Sequence, residues 1–204
     1  MNTFLPLLLC LLLSPCHGKH TSEAPPCPEP LDIYPCVCDA DTLTINCSNV
    51  TDEDQLRQVF TAPFPTAALH EFLMDGNKGV RVLENGVFGD VSFRVLTVMH
   101  SVLEAVRDEA LVSSYPTLTH VILASSPLAV FPFHALQRFT ALEMVIMVQC
   151  DVHSLPSLSS ASLQELYLYS NPISSLSLDV FALLSAVRTI DLSDNQLTEI
   201  TQGK

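Results

Sequence analysis

The sequence predicts an α/β solenoid: a curved parallel β-sheet on the concave side, short helices and irregular segments on the convex side, and a disulfide-bonded cap at the amino-terminal end. Three observations predict it. Apolar residues recur with a period close to 24 residues from Leu69 onward. Within each period they alternate, as a half-buried strand requires. Four cysteines fall within the 21 residues from Cys27 to Cys47, ahead of the first period. The composition is compatible with such a core, since 48% of the 204 residues are hydrophobic. The charge, 9 basic minus 22 acidic side chains or −13, argues against a nucleic-acid partner, whose phosphates need clustered Lys and Arg.

Phe4 to Leu13 is an apolar run of ten residues, too short to span a bilayer, followed by Ser14, Pro15 and small residues up to Gly18. It predicts a secretory signal over residues 1–18, a short linker over 19–26, and a secreted, extracellular mature chain. No later run is long enough to span a membrane, because 118–133 is interrupted by Pro127 and Pro132. Loss of the signal removes Cys10 and Cys16 and leaves Cys27, Cys36, Cys38, Cys47 and Cys150.

The cap is expected over 27–68. In an extracellular setting the four clustered cysteines form disulfides rather than a zinc site. A Cys36–Cys38 bridge would be strained by its one-residue loop, so two connectivities remain. Leu43, Ile45 and Cys47 alternate as a strand able to continue the sheet. Thr51 with Asp54 reads as a capping box that starts a short helix carrying Leu56, Val59 and Phe60. Asn46-Cys47-Ser48 and Asn49-Val50-Thr51 are acceptor triplets for N-glycosylation, and the second is the more favourable because the first has a cystine half at its centre.

The repeats occupy 69–204 as copies 69–92, 93–117, 118–141, 142–162, 163–186 and an incomplete 187–204. The pattern is LxxLxLxxNxL, clearest in Leu163, Leu166, Leu168, Asn171 and Ile173. Six copies have 24 apolar places, and 23 are filled; Gly79 is the exception, explained by a one-residue insertion near Lys78 and Gly79. Further apolar residues, such as Phe131, Leu136 and Phe139, close the core from the convex side. The short fourth copy carries Pro156 among serines, so its convex segment is expected to be extended. The asparagine place holds Asn77, Ser101, Ser126, Cys150, Asn171 and Asn195, a buried polar ladder on which Cys150 is a buried, unpaired thiol.

With these residues in place, the chain resembles secreted leucine-rich-repeat proteins with a cysteine-rich amino-terminal cap. The resemblance implies pairing of the first cysteine with the third and the second with the fourth, Cys27–Cys38 and Cys36–Cys47. The segments Pro35-Cys36-Val37-Cys38, Ile45 to Thr51 and Gln55 to Phe60 are similar to an arthropod subgroup that includes non-catalytic subunits of luciferin monooxygenase complexes. That similarity implies a non-catalytic scaffold or partner subunit in a secreted complex. Caps of this family close both ends of the solenoid. No cysteine follows Cys150, so a fragment, an incomplete product, or a carboxy-terminal end covered by a partner is expected.

Solvent-facing places on the concave strands form an apolar strip: Val95, Met99, Ile122, Met144, Ile146, Val148, Tyr167 and Tyr169, with Glu71, Asp75, Asp191 and Asp194 nearer the ends. An apolar strip with a polar rim predicts a protein-binding face, for a protein ligand or a partner subunit. No catalytic residue, metal site or cofactor is expected. His70, His100 and His120 fall at three different concave places, and there is no phosphate loop, GxSxG, or cysteine spaced to a histidine.

Overall fold

The computed structural model describes residues 25–202; the expected signal, with Cys10 and Cys16, lies outside them. The cap contributes β1 (Val37–Asp39), β2 (Thr44–Asn46) and α1 (Glu53–Val59). The first copy then gives β3 (Glu71–Asp75) and β4 (Val82–Leu83), and the second β5 (Val95–Met99) and β6 (Ala105–Val106). The third gives β7 (His120–Ala124) and a 3-10 turn, Phe133–Arg138; the fourth gives β8 (Met144–Val148) and β9 (Ser159–Ser160). The fifth gives β10 (Glu165–Tyr167), β11 (Ser175–Ser177) and β12 (Leu183–Leu184), and the last β13 (Thr189–Asp191) and β14 (Glu199–Thr201).

Eight of these strands form one sheet in the order β1-β2-β3-β5-β7-β8-β10-β13, parallel throughout except for the antiparallel β1–β2 pair. The register never slips, because Phe72, Leu96, Val121, Val145, Leu166 and Ile190 stand in line across it and a one-residue shift would turn each to solvent. The convex side holds less helix than expected. Among the described residues α1 is the single α-helix, and two-stranded ladders (β4–β6, β9–β12, β11–β14) and 3-10 turns replace the rest. Copies of this length reach the next strand in extended or 3-10 form, and only a longer connection would hold an α-helix, which rises 1.5 Å per residue. The fourth copy runs extended past Pro156 into β9.

One core runs from Ile33 in the cap to Leu184, with Leu83, Phe88, Val91, Leu136 and Phe139 closing it from the convex side. Val80, one place beyond Gly79, is fully buried, so the insertion passes the apolar role to its neighbour. Cys27 is bonded to Cys38 and Cys36 to Cys47, and Cys150 is free and buried. The capping box differs from the one expected by one residue. Asp52 is the N-cap and accepts the Gln55 N–H at 2.8 Å, while the Gln55 amide oxygen accepts the Thr51 N–H at 2.8 Å. Thr51 and Asp52 are both cap formers, and only Asp52 has a Gln three residues on, whose side chain reaches back to the N–H of Thr51 just before the cap.

The ladder ties each copy to the one before it. The Asn171 amide donates to the carbonyls of Met147 (2.8 Å) and Leu168 (2.9 Å) and its oxygen accepts the Val152 N–H (3.4 Å). Asn195 does the same with Leu168, Leu192 and Ile173, and Asn77 reaches into the cap to Ser48 and Val50. In the middle the Ser101 and Ser126 hydroxyls bond each other at 2.9 Å. The Cys150 thiol donates weakly to Leu123 and Val148, both at 3.5 Å. Burial pushes that thiol up to about 11, so it is neutral at physiological pH.

Every rung follows a residue in the left-handed region: Gly76, His100, Ser125, Gln149, Ser170 and Asp194, with φ between 49° and 68°. Only the first is glycine. The turn that aims the rung side chain inward imposes this backbone, and five ordinary side chains bear a strain of about 1 kcal/mol each to meet it.

Candidate functional site

The sheet register sets the concave face as three columns of side chains, each strand about 4.8 Å from the next. The first runs Thr44, Glu71, Val95, His120, Met144, Glu165 and Thr189. The second runs Asn46, Leu73, Thr97, Ile122, Ile146, Tyr167 and Asp191. The third starts Asp75, Met99, Ala124 and Val148, and Tyr169 and Ser193 hold the same place beyond the ends of β10 and β13.

Seven of the eight apolar residues expected on this face are partly exposed: Val95, Met99, Ile122, Met144, Ile146, Tyr167 and Tyr169. Val148 is a correction, being buried at 6% exposure. It stands in register with Ala124 and beside the larger Tyr169, whose carbonyl accepts the Gln149 N–H at 3.4 Å, so its short side chain sits low between its neighbours. Thr97 is buried as well, and its hydroxyl donates to the Glu71 carboxylate at 2.6 Å.

The polar rim is internally bonded. Glu165, which sequence reasoning missed, accepts the Tyr167 hydroxyl at 2.8 Å and fixes that ring; the bond, helped by desolvation and the nearby charge, raises the phenol above its ordinary value. Continuing the first column from Val95 and Met144 would have found it. Asp191 accepts the Ser193 hydroxyl at 2.6 Å and its N–H at 2.9 Å, and these bonds hold the carboxyl below the ordinary range. His100 Nδ1 lies 2.8 Å from Asp75 at the edge of the third column, while His120 is in the first column and His70 precedes it. Among the described residues no group of three or more His, Cys, Asp or Glu is placed to hold a metal ion.

At the cap end Asn46 is exposed and stands in line with Leu73, and Val37 of β1, also missed, extends that column at 65% exposure. A third alternating member, Val37 between Cys36 and Cys38, was the available signal. Asn49 is exposed on the turn after β2. No helix among the described residues is long and apolar enough to cross a membrane.

A family model described as Leucine rich repeat matches residues 157–203, the part of the chain with the most regular copies. The chain is 28% identical over 189 residues to the Oplophorus-luciferin 2-monooxygenase non-catalytic subunit of Oplophorus gracilirostris, covering 91% of this chain and 53% of that one. It thus spans about half the length of that curated relative. A solved structure of human 5T4, Wnt-activated inhibitory factor 1 or trophoblast glycoprotein, overlaps with 17% identity and a TM-score of 0.38 over 83% of this chain and 82% of that one. The fold itself rests on the unbroken strand register, the asparagine ladder and the pairing of the cap cysteines. On those features the chain has a leucine-rich-repeat fold with a disulfide-bonded amino-terminal cap.

Proposed function

We propose that this chain is a secreted, non-enzymatic scaffold that holds a protein partner on its concave face. The observation that carries the reading is the row of accessible apolar side chains at the middle of the sheet, Ile122, Met144, Ile146 and Tyr167, flanked by Glu71, Asp75, Glu165 and Asp191. Water wets a flat apolar strip of this kind poorly, and a partner that covers it recovers the hydrophobic term while the acids set orientation. Ile146→Glu and Tyr167→Glu are each expected to weaken capture of the partner from the secretory source at least thirtyfold, about 2 kcal/mol, while yield is unchanged. Capture at wild-type strength by both variants would overturn the reading.

A second reading is favoured by the similarity to a non-catalytic subunit. Here the partner is the catalytic chain of a secreted oxidoreductase complex, and the repeats stabilise it. Co-purification of one enzyme in fixed stoichiometry supports this reading, and a non-enzymatic ligand supports the first.

The chain organisation belongs to the same proposal: a signal over 1–18, linker over 19–26, cap over 27–68 and repeats over 69–204. Two disulfides fit an oxidising compartment. Asn49, exposed and away from the sheet face, is the preferred glycan acceptor, and Asn46 is disfavoured by the bonded Cys47 at its centre. Mass spectrometry of the secreted protein before and after glycosidase should show the shift at the peptide holding Asn49; no shift would remove the glycan from the proposal.

A further inference from the structure

A groove of about 530 Å3 crosses the entry side of the sheet, where the chain turns into β2, β3, β5, β7 and β8. It lies beside the concave columns and is independent of the partner reading above. Its walls are apolar, from Leu43, Ala68, Leu69, Pro116 and Ala141. Its polar groups are unevenly disposed. The hydroxyls of Ser92, Thr117 and Thr119 already donate to the carbonyls of Ala67 (3.2 Å), Phe93 (2.9 Å) and Arg94 (2.9 Å). The donors left over are the Arg94 guanidinium and the His70 ring, neither of which has a side-chain partner among the described residues. Their backbones are neighbours, the Arg94 N–H donating to the His70 carbonyl at 3.0 Å, so both side chains leave the same row.

This is unusual in a chain of net charge −13. Of the six arginines, Arg57, Arg81 and Arg107 each face a carboxylate, Arg138 lies over the Tyr115 ring at 4.4 Å, and among the described residues Arg94 and Arg188 have no side-chain partner, of which Arg94 alone lines the groove. The groove lining contains no Asp or Glu. The nearest acid, Glu71, is in register with Val95 in the next column, where it accepts the Thr97 hydroxyl at 2.6 Å and forms no ion pair with Arg94; along the row itself the next acid is Glu143, two strands on, or about 10 Å at ordinary strand spacing. An apolar trough with one free guanidinium at its side is complementary to an amphipathic anion. The overall negative charge repels an acidic polymer, whereas a small ligand with a single charge meets only the local field.

We infer that the groove binds a small amphipathic monoanion, an apolar body with one carboxylate or sulfonate head, seated on Arg94 and His70. The probe is 8-anilinonaphthalene-1-sulfonate, titrated into the intact chain and followed by fluorescence. One saturable site is expected, weakened at least tenfold by Arg94→Glu and several-fold by His70→Ala. Arg188→Glu makes the same charge change at the far end of the row, outside the groove, and should leave affinity within twofold. Octanoate should displace the probe and octylamine should not. Arg94 and His70 are exposed, and far-UV circular dichroism confirms folding of each variant. Equal weakening by Arg94→Glu and Arg188→Glu, no weakening by Arg94→Glu, or displacement by octylamine as readily as by octanoate would overturn the assignment.

Discussion

Gly79→Ala should cost the protein more than about 4 kcal/mol, in the range reserved for backbone collisions and large core defects. A Cβ at this position would lie 2.0 Å from the Thr51 carbonyl oxygen, 2.3 Å from its carbon and 2.8 Å from its Cα. All three are backbone atoms, so no side-chain rotation can relieve them. Thr51 immediately precedes the N-cap of α1 and is itself held by Gln55, so relief requires the cap to move as a body away from the first repeat. That movement would break the Asn77 bonds to Ser48 and Val50 and the Glu53 carboxylate's bonds to the Arg81 and Val82 N–H groups. Gly76→Ala is the control: its φ of 68° is strained for alanine, but nothing lies within 4 Å, so the cost should be about 1 kcal/mol. Urea unfolding of the two variants measures both, and a Gly79→Ala loss no greater than that of Gly76→Ala would show that the junction yields.

Phe88→Ala is expected to cost about 3–5 kcal/mol. The ring is almost fully buried and lies 4.9 Å from Phe72, 5.0 Å from Phe60 and 5.0 Å from Phe93, all edge-on. Phe60 belongs to the end of the cap helix, Phe72 to β3, and Phe93 to the approach to β5, so one ring joins the cap to two repeats. Each aromatic pair adds about 0.5–1.5 kcal/mol beyond area burial. Phe88→Leu restores most of the volume without the edge-on contacts and should recover more than half of the loss. Equal denaturation midpoints for Phe88→Ala and the unsubstituted chain would show that the cluster contributes little.

The strands were legible because two signals coincide at each, a period of two within the strand and the recurrence of the whole pattern. The ladder was legible for the same reason, and its spacing places Cys150 as a buried, unpaired thiol. What failed was set by short-range chemistry that several residues share. Thr51 and Asp52 are both N-cap formers, Asp the better, and Gln55 adds to the choice through a bond that Asp54 is too short to copy. Val148 has the right place for an exposed residue, yet its accessibility depends on the Tyr169 side chain one strand away, which no count along the chain weighs. The left-handed residues were hidden because His100, Ser125, Gln149, Ser170 and Asp194 carry no glycine signature. On the candidate face, seven of eight residues are accessible where alternation placed them, whereas Glu165 and Val37 went unread because they extend columns at the margin of the pattern.

The ladder is not uniform, and its unevenness has a mechanical consequence. Asn77, Asn171 and Asn195 each grip several backbone groups of the copy before them, so the two ends of the arch are stiffly latched. Between them Ser101, Ser126 and Cys150 offer short hydroxyl contacts and weak thiol ones. The span from β5 to β8 is therefore the compliant part of the arch, and it is also the span that carries Ile122 and Ile146. A visitor to the concave side meets a surface whose curvature gives most where the contact is most apolar, with firm abutments on either side to limit the flexing.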